Sequence, residues 1–576
     1  MASSDASSGR WRGISLVLGL VAIGLGLWLI IRPIASLSTL GLAIAAGLLA
    51  TGGSRLTASD TSFSARLLAV LWVAVAFVLV VWPDLTMRWL VLLVGAHLAI
   101  DGIGDIWAGV RSEADQRFAA IVRGVATVIF GVLALTWPDV TLLVIAIAFA
   151  ARLIIFGVSH ALTAIRGRVA DERGDRPGRL RRWLEVVGAV ATLAVAGLLA
   201  IISSWLNDGR PMVDGFYAAP AEAPEAPGQL IRIEPFERGI PDDAVAWRIL
   251  YTTTRDEGQP ALASAIVVAP SDEADGPREV IAWAHGTTGV HETCAPSVLE
   301  GTFSTGAFFS VEEVVDEGWV LVATDYVGLG TEGPHPYLIG QGEARSVLDS
   351  VRAARQMEEI DMADRTVVWG HSQGGHAALW TAAIASTYAP EVDVIGVAAL
   401  APASDVVGLI DSLPSVTGGS IFAAYAVSAY SAVYDDVRFA DYVVPSGRVN
   451  VERIARRCLA EPSVLTSVLS AVALNFSVFQ GDLTSGALSE RLTENIPPQE
   501  IEVPLFLAQG EADSLIALDT QDAFVAGLCE SGSRVDYRIY TELDHVPLVE
   551  ADSPLIPELF DWTSARLTDQ EPVSIC

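Results

Sequence analysis

Between residues 13 and 205 the chain passes through seven apolar runs, near 13–31, 34–53, 67–82, 89–110, 118–136, 140–164 and 184–205. Most approach the roughly 20 residues that cover the hydrocarbon of a bilayer, where every backbone group must find its partner inside the segment. The runs predict an α-helical transmembrane bundle of seven spans over residues 1–205. Trp28, Trp82, Trp89, Trp107, Trp137, Trp183 and Trp205 lie mostly near run ends, as indole rings at a membrane interface do.

Charge divides the chain at the same place. Residues 1–205 hold 17 Arg against 12 Asp and Glu, whereas residues 206–576 hold 19 Arg against 56. A second half that acidic repels phosphate backbones, which argues against a nucleic-acid partner. All 36 basic residues are Arg, so Schiff-base lysines, a pyridoxal anchor and a P-loop are excluded. The arginines also set an orientation. Arg10, Arg12, Arg55, Arg66, Arg111, Arg117, Arg166, Arg168, Arg173, Arg176, Arg179, Arg181 and Arg182 fall at the N-terminus and in the even-numbered loops, against little more than Arg32 and Arg88 opposite. Basic residues stay inside, so the N-terminus is expected in the cytoplasm and the chain in the cytoplasmic membrane. An odd number of spans then places residues after 205 outside.

Arg32-Pro33, Trp82-Pro83 and Trp137-Pro138 each sit in a short turn between two apolar runs, and the segments 82–106 and 137–162 are alike. This predicts three duplicated hairpins plus one further span. Three hairpins with a W/R-P turn resemble the HdeD family of acid-resistance membrane proteins, over roughly residues 13–165. That family is usually six-spanning; the seventh span here carries the chain outward. Asp101, Asp105 and Arg152 fall inside apolar runs, where charge is costly. They suit either an Asp101–Arg152 pair that locks helices or a proton path, and the path supports the alternative of a stress sensor or transporter.

The Pro/Ala/Glu-rich stretch AAPAEAPEAPG (218–228) reads as extended, giving an extracytoplasmic linker over 206–235 and a second domain over 236–576. WRILYTTT and ALASAIVVAP form a leading hairpin. After it VIAWAHG, WVLVATDY, RTVVWGHS, VIGVAALAP, VPLFLAQG and VDYRIYT alternate with helical segments, as strands buried in a parallel sheet do. GHSQGGH (370–376) directly follows one strand and directly precedes the helical run HAALWTAAIA. A strand–tight turn–helix raises a serine above the sheet edge, so Ser372 is the expected nucleophile and Gly370 and Gly374 let the elbow close.

A serine hydroxyl needs an imidazole to take its proton, and in this fold the order is Ser, acid, His. Only His376 and His545 follow Ser372, and His376 sits in the first helical turn facing the helix; His545 remains. Asp513, after the strand VPLFLAQG, is the expected acid, ahead of Glu511, Asp544 and Asp405. The oxyanion needs two backbone donors, expected from Gln373 and from Thr288, chosen narrowly over Thr287 in HGTTG. His285, His371 and His376 match no metal-ligand spacing, and this chemistry calls for neither a metal nor a cofactor.

WAHGTTG…CAPS, VATDYVGLG…PYL, GHSQGGHAALW and the late Asp and His resemble the secretory lipase family of the fungal lipase A type, over about 216–576. The resemblance implies an α/β-hydrolase domain with Ser372, Asp513 and His545 as triad and Thr288 with Gln373 as oxyanion hole. It also implies a lipid-facing helical cap over about 405–495. Cys294, Cys458, Cys529 and Cys576 all lie in the acidic half, an even number that suggests two disulfides among three possible pairings. The resemblance implies Cys294–Cys458 and Cys529–Cys576. The expectation is thus a membrane-tethered serine lipase or esterase acting on acylglycerols or other apolar esters. Its rivals are an acyltransferase and a non-catalytic lipid- or peptide-binding domain on a sensor or transporter.

Overall fold

The computed structural model describes residues 2–57, 63–111, 114–166, 179–207, 211–256 and 258–576. Arg168, Arg173 and Arg176 of the sixth loop lie outside the described residues. The chain forms two compact units: residues up to Asp208 together with Val443–Arg453 and Leu469–Phe479, and the remainder.

Seven helices come first among the described residues: α1 (Ala2–Ile31), α2 (Pro33–Thr57), α3 (Phe63–Val81), α4 (Pro83–Arg111), α5 (Ala114–Thr136), α6 (Pro138–Arg166) and α7 (Arg179–Asn207). Five stretches, Pro33–Ser54, Leu85–Arg111, Arg117–Thr136, Pro138–Leu162 and Val186–Asn207, are long and apolar enough to cross a membrane; the apolar parts of α1 and α3 are shorter. The three hairpins require a correction. Only Arg32, Trp82 or Trp137 separates the helices at each W/R-P turn. One residue is too short to fold two helices back onto each other, where an antiparallel pair needs about 2–5. Each helix therefore packs on the neighbouring repeat: α2 on α3, α4 on α5, and α6 on α1, which closes a ring of three pairs.

Glycines let these pairs approach closely. A Cβ on Gly102 of α4 would meet the Gly124 carbonyl of α5 at 2.6 Å, and one on Gly157 of α6 would meet that of Gly19 of α1 at 2.5 Å. Gly95, Gly102 and Gly109 recur every seven residues, as do Gly124 and Gly131, so one face of each helix stays bare for backbone contact. Leu37, Met87, Val91, Leu142 and Ala146 from α2, α4 and α6 form one buried apolar cluster together with Val449. Among the described residues, Asp101 and Arg152 form no ion pair with each other.

The second unit is built on a nine-stranded sheet: β1 (Leu230–Pro235), β2 (Ala244–Thr254), β3 (Pro260–Pro270), β4 (Arg278–Ala284), β5 (Val320–Thr324), β6 (Met362–His371), β7 (Asp393–Leu400), β8 (Leu505–Gly510) and β9 (Val535–Tyr540). Their order is β1-β2-β3-β5-β4-β6-β7-β8-β9. The first three strands and β5 pair antiparallel, and the rest from β5 onward are parallel. Between them run α8 (Val311–Asp316), α9 (Gly340–Ala354) and α10 (Gln373–Tyr388), with α17 (Leu518–Glu530) and α18 (Leu555–Leu567) toward the C-terminus. Buried Val, Ile, Leu and Ala of the central strands pack against α9 and α10 on one face and α18 on the other, the double cover that their unbroken apolar runs demand. The long interval from β7 to β8 is helical: α11 (Val406–Ser412), α12 (Gly419–Val433), α13 (Phe439–Tyr442), α14 (Arg448–Ala455), α15 (Val464–Leu474) and α16 (Gly486–Glu494).

The linker expectation over 206–235 also requires correction. Phe216 and Tyr217 are each 4% exposed within the core of the second unit, Tyr217 Oη lies 2.8 Å from Ser297 Oγ, and β1 pairs with β2. Two aromatic side chains recover more free energy in a core than in an extended tether, so residues 216–217 and 230–235 belong to the second unit. Cys294 joins Cys458 and Cys529 joins Cys576, with Cα separations of 5.2 and 5.1 Å.

Candidate active site

Strand order places the site. β4 lies between β5 and β6, so the crossover direction changes there and a crevice opens beyond the strands' C-terminal ends. Ala284 at the end of β4 is in register with Gly370 near the end of β6, which sets the turn after β4 beside the turn after β6. Ser372 stands in that second turn with φ 60° and ψ −119°, a left-handed strain for a residue with a Cβ. Closing the elbow requires its two glycines: a Cβ on Gly370 would lie 2.0 Å from the Gly374 carbonyl oxygen, and one on Gly374 would lie 1.9 Å from that of Ala284.

The structure brings the three residues expected as a triad together. Ser372 Oγ lies 2.8 Å from His545 Nε2, and His545 Nδ1 lies 2.8 Å from Asp513 Oδ2. Asp513 follows β8 and His545 follows β9, at the same sheet end. The Asp513 carboxylate is fixed by Leu515 and Ile516 N–H at 2.9 and 2.8 Å on Oδ1 and by Gln509 Nε2 at 3.0 Å on Oδ2. Since Nδ1 faces a carboxylate, it carries the hydrogen, and Nε2 presents its lone pair to the serine. Two of the rival acids are engaged elsewhere. Asp544 accepts the N–H of Ser514 and of His545, each at 2.8 Å, and Asp405 caps α11 through Gly408 N–H at 2.9 Å.

Beside the serine is a cavity of about 580 Å³ with an apolar wall that includes Phe422, Leu459, Leu515 and Val546. Gln373 is the first residue of α10, so its N–H has no acceptor inside the helix. Of the two threonines, Thr287 lines the cavity, whereas Thr288 is fully buried and its carbonyl accepts Leu459 N–H at 2.8 Å. The Leu459 contact ties Thr288 to the loop that carries Cys458, while Thr287 Oγ1 lies 3.2 Å from Tyr337 Oη.

Three more histidines surround the site, and none of their rings bonds to Ser372 Oγ; His376 meets the serine only through its backbone, its N–H donating to the Ser372 carbonyl at 3.1 Å. His371 Nε2 donates to the His545 carbonyl at 3.0 Å, and its ring packs 4.7 Å from the His545 ring. Burial holds His371 well below the ordinary imidazole range and lowers His285 to about 4. His376 faces Glu343 Oε2 at 2.9 Å and the Asn495 carbonyl at 2.7 Å. Glu343, fully buried in α9, escaped the sequence reading; it lies in no motif, and the buried face of α9 also carries Ser346, Asp349 and Ser350, so a further polar residue there does not stand out.

Residues 295–574 match the family model "Secretory lipase", and residues 17–65, 67–123 and 122–202 match "Short repeat of unknown function (DUF308)". Lipase A of Moesziomyces aphidis is 23% identical over 434 residues, covering 68% of this chain and 91% of its own. A protein of Mycobacterium tuberculosis described as a probable inactive lipase is 24% identical over 375 residues, covering 60% and 80%. Among solved structures, Candida antarctica lipase A in its closed state superposes with a TM-score of 0.55 at 20% identity, over 65% of this chain and 88% of that one, a likeness of fold. The chain thus joins a region that matches short repeats of unknown function at its N-terminal end to one that matches the secretory lipase model at its C-terminal end, on an α/β-hydrolase fold.

Proposed function

We propose that the protein is a membrane-tethered serine hydrolase of acylglycerols or other apolar carboxylic esters, acting outside the cytoplasmic membrane. The observation that carries the reading is the Ser372–His545–Asp513 chain of two 2.8 Å contacts at a strained elbow. Ser372 Oγ attacks the ester carbonyl carbon while His545 Nε2 takes its proton, and Asp513 stabilises the imidazolium. The oxyanion is held by Gln373 N–H and by an amide of the Gly286–Thr288 turn; with its side chain on the cavity wall, Thr287 now stands level with Thr288 as that donor. Collapse returns the proton to the leaving alcohol and leaves an acyl-serine. Water, deprotonated by the same imidazole, then releases the acid. The apolar wall of the cavity suits an acyl chain.

Replacing Ser372 by Ala should lower kcat on short-chain aryl esters by at least about 10⁴-fold while membrane insertion persists. A fluorophosphonate should label the wild type at Ser372. Undiminished turnover in the variant, or no labelling, rules out this mechanism. The labelling also discriminates against a domain that only binds lipid, which has no use for an activated serine.

A further inference from the structure

Behind the proposed oxyanion donor lies a buried network that the reaction itself does not use. Gln373 Nε2 lies 2.7 Å from Glu343 Oε1 and 3.0 Å from His335 Nε2. His335 Nδ1 donates to the Val327 carbonyl at 3.2 Å, so its Nε2 is an acceptor. Both amide hydrogens of Gln373 are therefore taken by named acceptors, while its Oε1 has no partner among the described residues. A flipped amide would press Oε1 against the Glu343 carboxylate, so the orientation is determined by chemistry. Glu343 Oε1 also accepts Leu338 N–H at 2.9 Å.

Glu343 and His376 form a pair with both side chains fully buried, 2.9 Å apart. His376 Nε2 faces the Asn495 carbonyl, which can only accept, so Nε2 carries a hydrogen. A second proton then lies between His376 Nδ1 and Glu343 Oε2, on one atom or the other. Burial raises the Glu343 carboxyl toward its protonated form. Asn495 follows α16, at the point where the chain leaves the helical insertion. Its carbonyl takes both His376 Nε2–H and Trp380 Nε1–H, its Oδ1 accepts Gly340 N–H at 2.9 Å, and its Nδ2 donates to Tyr434 Oη of the segment after α12 at 2.9 Å.

We propose that Glu343 and His376 are positioning residues for the oxyanion site, linking the exit of the helical insertion at Asn495 to Gln373, the residue beside the nucleophile. The proposal rests on the reading of Ser372 and Gln373 given above. An oxyanion donor acts only if it is in place before charge develops. Here the residue bearing that N–H has its side chain held by α9 through Glu343, and Glu343 is held by His376, which reads the position of Asn495. A displacement of the insertion at Asn495 is thereby passed to the donor through fixed hydrogen bonds, and the site is competent only when the insertion is seated.

The test uses the full-length protein in detergent, with wild type, Glu343→Leu, Glu343→Gln and Asn495→Ala. Gln at position 343 can keep every contact, offering its oxygen to Gln373 and Leu338 and its amide to a neutral His376 Nδ1. Glu343→Leu should lower kcat roughly tenfold to a hundredfold with KM within about twofold, the signature of lost alignment. Glu343→Gln should recover kcat to within about threefold of wild type. Asn495→Ala, outside the reacting groups, should lower kcat in the same direction. The proposal falls if Glu343→Leu keeps kcat within twofold, if Gln fails to rescue, or, should the Leu variant not fold, if Asn495→Ala keeps wild-type kcat. Failure of the wild type to take a fluorophosphonate at Ser372 would instead bring down the reading on which the proposal stands.

Discussion

His285 carries the clearest pH consequence of a single side chain. It opens the turn after β4, 2% exposed, with Nδ1 donating to the Gly286 carbonyl at 2.7 Å. Burial lowers it from the ordinary 6.5 to about 4. Between those values the unfolded chain binds a proton that the folded chain refuses. Stability from this site is therefore complete above about 6.5 and falls as pH drops toward 4, by about 3 kcal/mol in all. Thermal melts of wild type and His285→Asn at pH 7 and pH 4.5 should show the difference in Tm shrinking or reversing in acid. An unchanged difference would show that the imidazole already binds its proton in the fold. Asp325, whose carboxyl burial lifts to about 6, works in the opposite sense over part of this window, but it is present in both proteins and largely cancels.

The helix pairs are where sequence pattern and packing part company. Apolar runs located the helices and the strands because burial acts on each element separately. Pairing is a relation between elements, and its signal is weaker: glycines seven residues apart, easily lost in a chain holding 50 of them. The same contrast holds in the hydrolase domain. Ser372, Asp513 and His545 were legible because each sits at a predictable offset from a strand end, and the fold brings strand ends together. Glu343 was not, because a buried carboxylate in the first turn of a helix announces itself only when its partners are known, and its side-chain partners Gln373 and His376 lie 30 and 33 residues away. Strand β1 was read as tether because LIRIEP lies beside a Pro-rich stretch and is only half-buried at an antiparallel edge. The helix pairing can be tested with two glycines. Gly124→Leu drives a side chain into the α4 backbone and should cost about 1–3 kcal/mol, seen as a lower Tm in detergent. Gly104→Leu on α4, where a Cβ meets nothing within 4 Å, should leave Tm unchanged. Equal effects would refute the glycine contacts.

For the whole molecule the governing quantity is the number of crossings. On the topology we propose, seven spans with a cytoplasmic N-terminus would deliver the acidic domain outside, where its four cysteines can oxidise. Alkaline phosphatase fused after Asn207 should be active and the same reporter fused after Arg166 inactive. The reverse pattern would put the hydrolase domain in the cytoplasm and take away the argument for its disulfides in the cell.

Closure of the ring through α1 and α6 imposes an order on biosynthesis. With α2 paired to α3 and α4 to α5, α1 gains its main partner only once α6 has been made. Nascent chains stopped before Pro138 should thus expose α1 to quality-control proteases, and only elongation past it should confer protection.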